Sequence, residues 1–315
     1  MNWNNSLGFL LLGLFACTQE RTHKINDQIA TEVAVESSYL IEVKELQTLI
    51  GHPHIKILDF RKKEYYNKGH IEGALHIWRT DVEDSDYPYG GMMASPSQIE
   101  TLFGNLGIQT EDTVIIYDDN GLCDSARLWW LLQNYDFSNV KLLHGGIEAW
   151  KEYDGVISTI LPSVEQTEFK LTKTPSLKYH ISKDEMQQAL KIGTAVLDTR
   201  NRDEYSGKRQ KIGAAKGGRI PKSINIDWVE AIDYDGDKKF RSLQELSSIY
   251  SQLNIEKNEP IIVYCHSGVR SAHTTFVLTQ LLDYKNVKNF DGSWIEWSYF
   301  DGLDVEKDSI TTISN

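Results

Sequence analysis

The residues best suited to chemistry lie in one short stretch, YCHSGVRS, at positions 264–271. Cys265 follows the apolar run PIIVY, and Ser271 begins a segment whose apolar residues recur at helical spacing. The free N–H groups and dipole of a helix start, together with the guanidinium of Arg270, favour the thiolate form of a cysteine. Because the thiolate is the nucleophilic form, this stretch predicts a nucleophile rather than a cysteine that only fills the core.

The elements that position this cysteine are predicted to be a buried strand and a helix, joined by a tight loop at the sheet edge where ligands bind in open α/β folds. Four residues separate Cys265 from Arg270, whereas the phosphate-cradling loops of protein tyrosine phosphatases have one more. The smaller ring of amides suits a single sulfur atom and disfavours a phosphatase or an arsenate reductase. The predicted ligand contacts of the loop are His266, Ser267, Gly268, Val269, Arg270 and Ser271.

The chain contains an internal repeat whose two copies lie about 140–150 residues apart. The matching segments are 39–61 with 179–200, 69–77 with 218–226, 113–132 with 260–278, and 139–150 with 286–297. Both copies alternate short Val/Ile/Leu strands with amphipathic stretches, which is typical of a parallel sheet flanked by helices. We therefore expect an α/β fold with two similar domains, 39–155 and 179–304, a linker at 156–178 and a tail at 305–315.

The loop and the repeat together resemble the rhodanese family, and in particular its tandem thiosulfate and mercaptopyruvate sulfurtransferases. The resemblance rests on CHSGVRS (265–271), GHIEGA (69–74), GRIPKSIN (218–225) and DGSWIEW (291–297). It implies that Cys265 carries sulfane sulfur as a persulfide, held by the loop amides. Arg270 is expected to bind the sulfonate of the donor, with a salt bridge that fixes the loop as the alternative. The resemblance also implies an active site between the domains, to which His70, Arg219 and Trp294 contribute.

The resemblance further implies that the N-terminal copy is silent in sulfur transfer. Asp118 stands where the C-terminal copy has Cys265, and a carboxylate cannot form a persulfide. Cys123 falls at a different position of the N-terminal loop and is interpreted as a bystander, because a free cysteine more often packs than reacts.

The donor is predicted to be thiosulfate, with 3-mercaptopyruvate as the alternative. Mercaptopyruvate enzymes of the family carry an Arg in the stretch that here reads DTRNRDEY (198–205), where Glu204 takes its place. A carboxylate at that position disfavours a carboxylate substrate. Ser267 matches the mercaptopyruvate loop and, with His70, keeps that alternative open. Cyanide, a thiol or a protein is the expected acceptor, and a non-catalytic sulfur-binding or sensor module is the other reading.

Composition limits the remaining possibilities. The chain of 315 residues has a formal net charge of −12, so nucleic acid is not an expected partner. Its three cysteines are widely spaced and predict neither a disulfide framework nor a metal site, and no cofactor is expected. An insertion at 206–218 places basic residues on this acidic protein, which predicts either an anion funnel or a solvated loop. These residues are Lys208, Arg209, Lys211 and Lys216, with Arg219 directly after the insertion.

The first residues resemble a bacterial lipoprotein signal. The run LGFLLLGLFAC (7–17) is apolar, short for a membrane span, and ends in small residues before Cys17. We expect a signal at 1–17 that is cleaved ahead of a lipidated Cys17, although a basic residue before the apolar run is missing. Residues 18–38 are polar and predict a flexible tether. The protein is therefore expected outside the cytoplasm, attached to a bacterial membrane through its lipid.

Overall fold

The computed structural model describes residues 35–308, which form two α/β domains with the same strand order. The predicted signal, Cys17, most of the tether and the end of the tail lie outside the described residues. In the described part no helix is long and apolar enough to cross a membrane.

The N-terminal domain is built on a five-stranded parallel sheet in the order β4-β2-β5-β6-β1, with a two-stranded antiparallel ribbon of β3 and β7 beside it. Its strands are β1 (Leu40–Ile41), β2 (Ile55–Asp59), β3 (His70–Ile71), β4 (Leu75–His76), β5 (Thr113–Tyr117), β6 (Val140–Leu143) and β7 (Ile157–Ser158). Its helices are α1 (Val43–Leu49), α2 (Lys63–Lys68), α3 (Pro96–Asn105), α4 (Cys123–Asn134) and α5 (Gly146–Glu152), with a 3-10 turn at Arg79–Val82.

The C-terminal domain repeats this sheet, in the order β10-β9-β11-β12-β8. Its strands are β8 (His180–Ile181), β9 (Ala195–Asp198), β10 (Ile224–Asn225), β11 (Pro260–Tyr264) and β12 (Asn286–Phe290). Its helices are α6 (Lys183–Lys191), α7 (Arg202–Ser206), α8 (Leu243–Tyr250), α9 (Val269–Phe276) and α10 (Ser293–Tyr299). Short 3-10 turns cover Trp228–Ala231 and Ser251–Leu253, and a π-helical turn, Val277–Leu281, continues α9. The predicted pair of parallel-sheet α/β domains is confirmed.

The repeated Leu-Asp-x-Arg motif forms a buried ion pair at the carboxyl end of the second strand of each domain. In the C-terminal copy, Arg200 Nη2 lies 2.6 Å from Asp198 Oδ2 and donates to the carbonyl oxygen of Gly218 at 2.7 Å. The hydroxyl of Tyr264 donates to the same carboxylate at 2.6 Å. These bonds tie three segments together at the end of the sheet that leads into the loop of Cys265.

The N-terminal copy has the same network. Arg61 pairs with Asp59, Arg61 Nη2 donates to the carbonyl oxygen of Gly69 at 2.8 Å, and the Tyr117 hydroxyl donates to Asp59 at 2.6 Å. The likeness between the copies therefore extends to single hydrogen bonds between buried polar groups, each of which needs a partner once it leaves water.

The two domains pack through α4 and α9, the helices that follow the two equivalent loops. One continuous cluster of buried apolar side chains includes both helices. In it, Trp129 of α4 meets Phe276 of α9 edge to face at 4.8 Å, and Phe240 stacks on Phe276 at 5.6 Å between ring centroids. Aromatic pairs of this kind bury large apolar areas. This shared core fixes the two loops on either side of one interface.

Three boundaries differ from those expected. The linker 156–178 is part of the N-terminal domain's packing, since β7 pairs with β3 and Phe169 lies buried against Phe103. The tail contributes Glu306, whose backbone pairs with that of Arg219. Helix α9 begins at Val269, two residues before Ser271, because Gly268 ends the loop in a left-handed conformation with φ of 75°.

Candidate active site

Cys265 lies directly after β11, buried, with its sulfur facing the start of α9. Burial by itself raises the pKa of a thiol. Here the charge of Arg270, the Ser271 hydroxyl and the backbone N–H groups of Ser271 and Ser267 outweigh burial, so the pKa of Cys265 is lowered. The amides are available because the first N–H groups of a helix have no partner inside it. The arrangement favours a thiolate at the crevice end of the strand.

Ser293 fixes the shape of this loop. Its Oγ accepts hydrogen bonds from the backbone N–H of Cys265 at 3.1 Å and of Gly268 at 3.0 Å, and it donates to the carbonyl oxygen of Phe290 at 2.7 Å. Its φ is 50°, in the left-handed region that a serine rarely adopts. Sequence analysis missed this residue. The available signal was its place in the repeat, where the N-terminal copy has Gly146, also at positive φ.

Arg270 is held from the other side by Glu204 of α7. Nη1 lies 2.8 Å from Oε2 and Nη2 lies 3.0 Å from Oε1, a two-pronged pair buried under the loop. Burial alone would raise the pKa of Glu204, but the hydrogen bonds and charge of Arg270 lower it to about 2. The outer nitrogens of its guanidinium thus bind a protein carboxylate, as in the alternative of a salt bridge that fixes the loop, and sulfonate binding by Arg270 stays a prediction.

The N-terminal loop shows what this type of loop binds. Asp118, at the position equivalent to Cys265, accepts hydrogen bonds from the backbone N–H groups of Asn120, Leu122 and Ser125 at 2.9, 2.9 and 2.8 Å. The side chain is fully buried. A carboxylate thus occupies a cradle of amides where the other domain presents a sulfur atom. Both loops are built to hold a negative group at one point.

The N-terminal domain also covers the loop of Cys265. Gly91 approaches Ser267 so closely that a Cβ on Gly91 would lie 2.7 Å from the Ser267 Cβ. Arg127 of α4 forms a buried ion pair with Asp291, with Nη2 and Oδ1 2.6 Å apart, and donates to the carbonyl oxygen of Gly91 at 2.9 Å. A Cβ on Gly268 would lie 2.7 Å from Arg127 Nη1. The N-terminal domain therefore packs directly against the loop of Cys265.

The insertion at 206–218 reaches the loop through His266. Its Nε2 donates to the carbonyl oxygen of Ile212 at 3.0 Å. Burial, together with the nearby charge of Lys211, lowers the pKa of His266 to about 4, so the ring is neutral at pH 7 and its Nε2–H is a donor. The loop and the insertion are therefore joined without an added charge.

Two predicted site residues make their polar contacts away from the loop of Cys265. The ring nitrogens of His70 lie 2.9 Å from the carbonyl oxygen of Tyr66 and 3.1 Å from that of Ile160, within its own domain. Arg219 pairs with Asp308, its Nη1 2.6 Å from Oδ1, and holds the tail. These contacts join His70 and Arg219 to segments outside the loop of Cys265, and a contribution of either side chain to the substrate site stays a prediction.

Trp294 supports the loop from beneath instead of lining an open wall. The side chain is buried, and its indole N–H donates to the carbonyl oxygen of Lys216 at 2.8 Å. The backbone N–H of Trp294 donates to the carbonyl oxygen of Cys265 at 3.1 Å. The guanidinium of Arg200 lies 4.6 Å from its ring centroid. Trp294 therefore contacts the backbone of the loop, and its contact with substrate stays a prediction.

Cys123 is the first residue of α4 and is buried in the core shared by the domains. Burial, followed by the charge of Asp124, raises the pKa of Cys123 well above its usual value. The thiol is thus held neutral, in contrast to that of Cys265. Within residues 35–308, no group of three or more His, Cys, Asp or Glu side chains has an arrangement that could hold a metal ion.

The two halves of the chain each match one family. A sequence model described as "Rhodanese-like domain" matches residues 42–153 and 182–299. A protein of Mycolicibacterium smegmatis named "Putative thiosulfate sulfurtransferase" is 36% identical over 249 residues, which are 76% of this chain and 87% of that protein. The Sulfur carrier protein TtuD of Thermus thermophilus is 31% identical over 279 residues, 85% of this chain and 96% of TtuD.

Among solved structures, SseA from Escherichia coli, a 3-mercaptopyruvate sulfotransferase, superposes with a TM-score of 0.71. It is 25% identical, and the match covers 81% of this chain and 98% of SseA. The match of both sheets, both domain segments and nearly the whole length of these relatives leads to one conclusion: the chain belongs to the rhodanese family.

Proposed function

We propose that the protein is a thiosulfate sulfurtransferase whose nucleophile is Cys265. The observation that carries this proposal is the equivalence of the two loops: Cys265 places a thiol of lowered pKa where Asp118 places a carboxylate on three amides. A loop that holds an anion at that point also holds a thiolate, and then the terminal sulfur anion of a persulfide. Relatives with the names given above support the same reaction class.

The reaction takes place in two balanced steps. The Cys265 thiolate attacks the outer sulfur of thiosulfate, an S–S bond forms, and the bond to the sulfonate sulfur breaks, so that its electron pair leaves with sulfite. An acceptor such as cyanide or a thiolate then attacks the outer sulfur of the persulfide and leaves with it, which returns the Cys265 thiolate. Splitting the transfer through a covalent intermediate replaces one difficult step by two easier ones.

The carboxylate of Glu204 supports thiosulfate over 3-mercaptopyruvate as the sulfur donor. Glu204 adds a carboxylate close to the loop and occupies Arg270 with both oxygens. A substrate carboxylate would meet this negative group without a free guanidinium fork, the group best suited to bind it. Thiosulfate is a smaller dianion, and a single point charge can bind it without a guanidinium fork.

The test is sulfite release from thiosulfate in the presence of cyanide, compared with release of pyruvate from 3-mercaptopyruvate. Wild-type protein is expected to use thiosulfate, to gain the mass of one sulfur atom on Cys265 without acceptor, and to lose that mass when cyanide is added. Cys265→Ser abolishes all three signals, while Cys123→Ser keeps them. A sulfur adduct that forms but never turns over would instead identify a sulfur-binding module, and p-nitrophenyl phosphate hydrolysis would identify a phosphatase.

The location of the protein belongs to the same proposal. The apolar run before Cys17 supports cleavage and lipidation at that residue, hence a membrane-anchored protein outside the cytoplasm. Metabolic labelling with an alkyne-bearing fatty acid tests it: the wild-type chain should carry the label in the membrane fraction, and Cys17→Ser should not. Equal labelling of both chains would contradict the assignment.

A further inference from the structure

The insertion at 206–218 is hydrogen-bonded to the active-site loop at one point and to helix α10 at two. The carbonyl oxygen of Ile212 accepts from His266 Nε2 at 3.0 Å, and that of Lys216 accepts from Trp294 Nε1 at 2.8 Å. The backbone N–H of Ala215 donates to Ser298 Oγ at 3.1 Å. These bonds fix the backbone on either side of residues 213–214. Lys211 directly precedes Ile212, whose carbonyl oxygen accepts the bond from His266. The position of Lys211 relative to Cys265 is therefore set by protein contacts.

The cations near Cys265 differ in whether a carboxylate pairs with them. Arg270 is paired with Glu204, and Arg79 with Asp124, whose Oδ1 lies 2.5 Å from Nε. Over residues 35–308, no carboxylate lies within 4.0 Å of the Lys211 ammonium, and its side chain is exposed. Lys211 thus supplies a positive charge near the loop that no carboxylate of the described residues pairs with.

The electrostatic interactions of Lys211 identify its neighbours. Burial of part of the side chain and the like charge of Arg270 lower the pKa of Lys211, whereas Glu204 and the Cys265 thiolate act to raise it. The same ammonium acts on His266. Lys211 is therefore within electrostatic reach of the nucleophile as well as of solvent.

We propose that Lys211 is the substrate-binding cation of this site and binds the sulfonate end of the sulfur donor. This inference rests on the proposed function, and it assigns to Lys211 the binding of the donor sulfonate that the sequence predicted for Arg270. A lysine ammonium is a compact charge with three donors on a flexible stem, which suits the three oxygens of a sulfonate in changing orientations. Negative charge grows on those oxygens as sulfite departs, and a fixed cation stabilises it at that moment.

The experiment compares Lys211→Met with Lys208→Met in the full chain. Lys208 belongs to the same insertion but pairs with Asp203 at 3.4 Å, so it is a matched control for lost charge. Loss of a charged hydrogen bond to the donor lowers kcat/KM for thiosulfate by about 10- to 100-fold in Lys211→Met. Lys208→Met should remain within about twofold of wild type, and Lys211→Arg should recover part of the loss, since it restores a cation. Unchanged kcat/KM in Lys211→Met with an active wild type overturns the proposal.

A second measurement separates donor binding from thiol activation. Methyl methanethiosulfonate is uncharged, and a thiolate that attacks it takes the methylthio group and releases methanesulfinate. Its rate of addition to Cys265, followed by mass spectrometry at pH values where that rate no longer rises, should be alike in Lys211→Met and wild type. A decrease equal to the decrease with thiosulfate would mean that Lys211 acts through the thiol, and would overturn the proposal.

Thiosulfate binding to Cys265→Ser, measured by calorimetry, gives a readout without turnover. Adding Lys211→Met should weaken that binding by about 10-fold or more, as expected for a lost charged contact. Equal affinity of the single and double variants would overturn the role of Lys211 even if turnover were absent. Failure of the wild type to release sulfite would, by contrast, contradict the proposed function itself.

Discussion

Glu204 and Arg270 form a two-pronged ion pair beneath the loop of Cys265, with nitrogen–oxygen distances of 2.8 and 3.0 Å. Only 2% of the Glu204 side chain and 15% of the Arg270 side chain are exposed. The pair has no net charge, yet the guanidinium is close enough to the sulfur to lower the pKa of Cys265. Arg270 thus activates the thiol, while Glu204 keeps Arg270 in place.

Glu204→Gln should destabilise the protein by about 3 kcal/mol at pH 7, because it leaves a buried guanidinium without its counter-charge. The pKa of Glu204 is about 2 in the folded state and about 4.3 in an unfolded chain. Its contribution to stability is therefore present above about pH 4 and is lost as pH falls toward 2. Urea unfolding at pH 7 and pH 3 measures both effects. The exposed Glu230→Gln serves as control, and equal unfolding midpoints of the two variants at pH 7 would contradict the prediction.

Ser293→Ala should weaken both the fold and the activity. It removes the acceptor of two loop amides, those of Cys265 and Gly268, at about 1–3 kcal/mol for each buried donor left unsatisfied. Ser293→Gly loses the same hydroxyl but suits the φ of 50° better, so it should be more stable than the alanine variant by about 1 kcal/mol. Thermal unfolding and sulfite release measure the two properties. An alanine variant as active as wild type would remove Ser293 from the loop's support.

Asp118 should make stability fall as pH rises through 6. Burial, then the charge of Asp124, raises the pKa of Asp118 to about 6 against the hydrogen bonds from the loop amides. Because this value lies above the unfolded-state pKa of about 3.9, the contribution is complete below pH 4 and is lost as pH rises through 6, by about 3 kcal/mol. Asp118→Asn removes this component. Unfolding free energies from pH 4.5 to 7.5 should therefore differ in slope between the two proteins, and parallel profiles would refute the assignment.

The sequence was sufficient for the sheets, the tandem plan and the cysteine loop, because these depend on local patterns that occur twice. PIIVY forms β11, and the Leu-Asp-x-Arg motif that marked the repeat forms the Asp198–Arg200 pair. Each of these signals consists of apolar residues at a regular spacing, of a polar side chain that needs a hydrogen-bond partner when it is buried, or of both.

The contacts that sequence reasoning did not predict join distant segments of the chain. His70 and Arg219 occupy equivalent motif positions, but the first meets the segment after β7 and the second meets the tail, neither of which has a pattern that names its partner. The pairing of Glu204 with Arg270 spans 66 residues. Ser293 was hidden because its side chain acts on the loop backbone, which leaves no mark in composition or period.

Gly91→Ala should impair the active site from within the silent domain. A Cβ at Gly91 would lie 2.7 Å from the Cβ and 3.2 Å from the Cα of Ser267, and the φ of 93° strains any side chain there. Either the adjoining part of the N-terminal domain or the loop of Cys265 must therefore shift. Since a shift of the loop misaligns the amides around the sulfur, kcat/KM for thiosulfate should fall by about tenfold or more.

The neighbouring Gly90→Ala is the matched control, because a Cβ at Gly90 has no atom within 4 Å and Gly90 lacks a positive φ. Gly90→Ala should keep the wild-type rate of sulfite release and the wild-type rate at which an alkylating reagent modifies the Cys265 thiol. If Gly91→Ala also kept both rates, the N-terminal domain would cover the loop of Cys265 without affecting its reactivity. If it slowed alkylation and sulfite release together, the N-terminal domain would be holding the catalytic loop in its reactive shape, which is the result that the contact between Gly91 and Ser267 predicts.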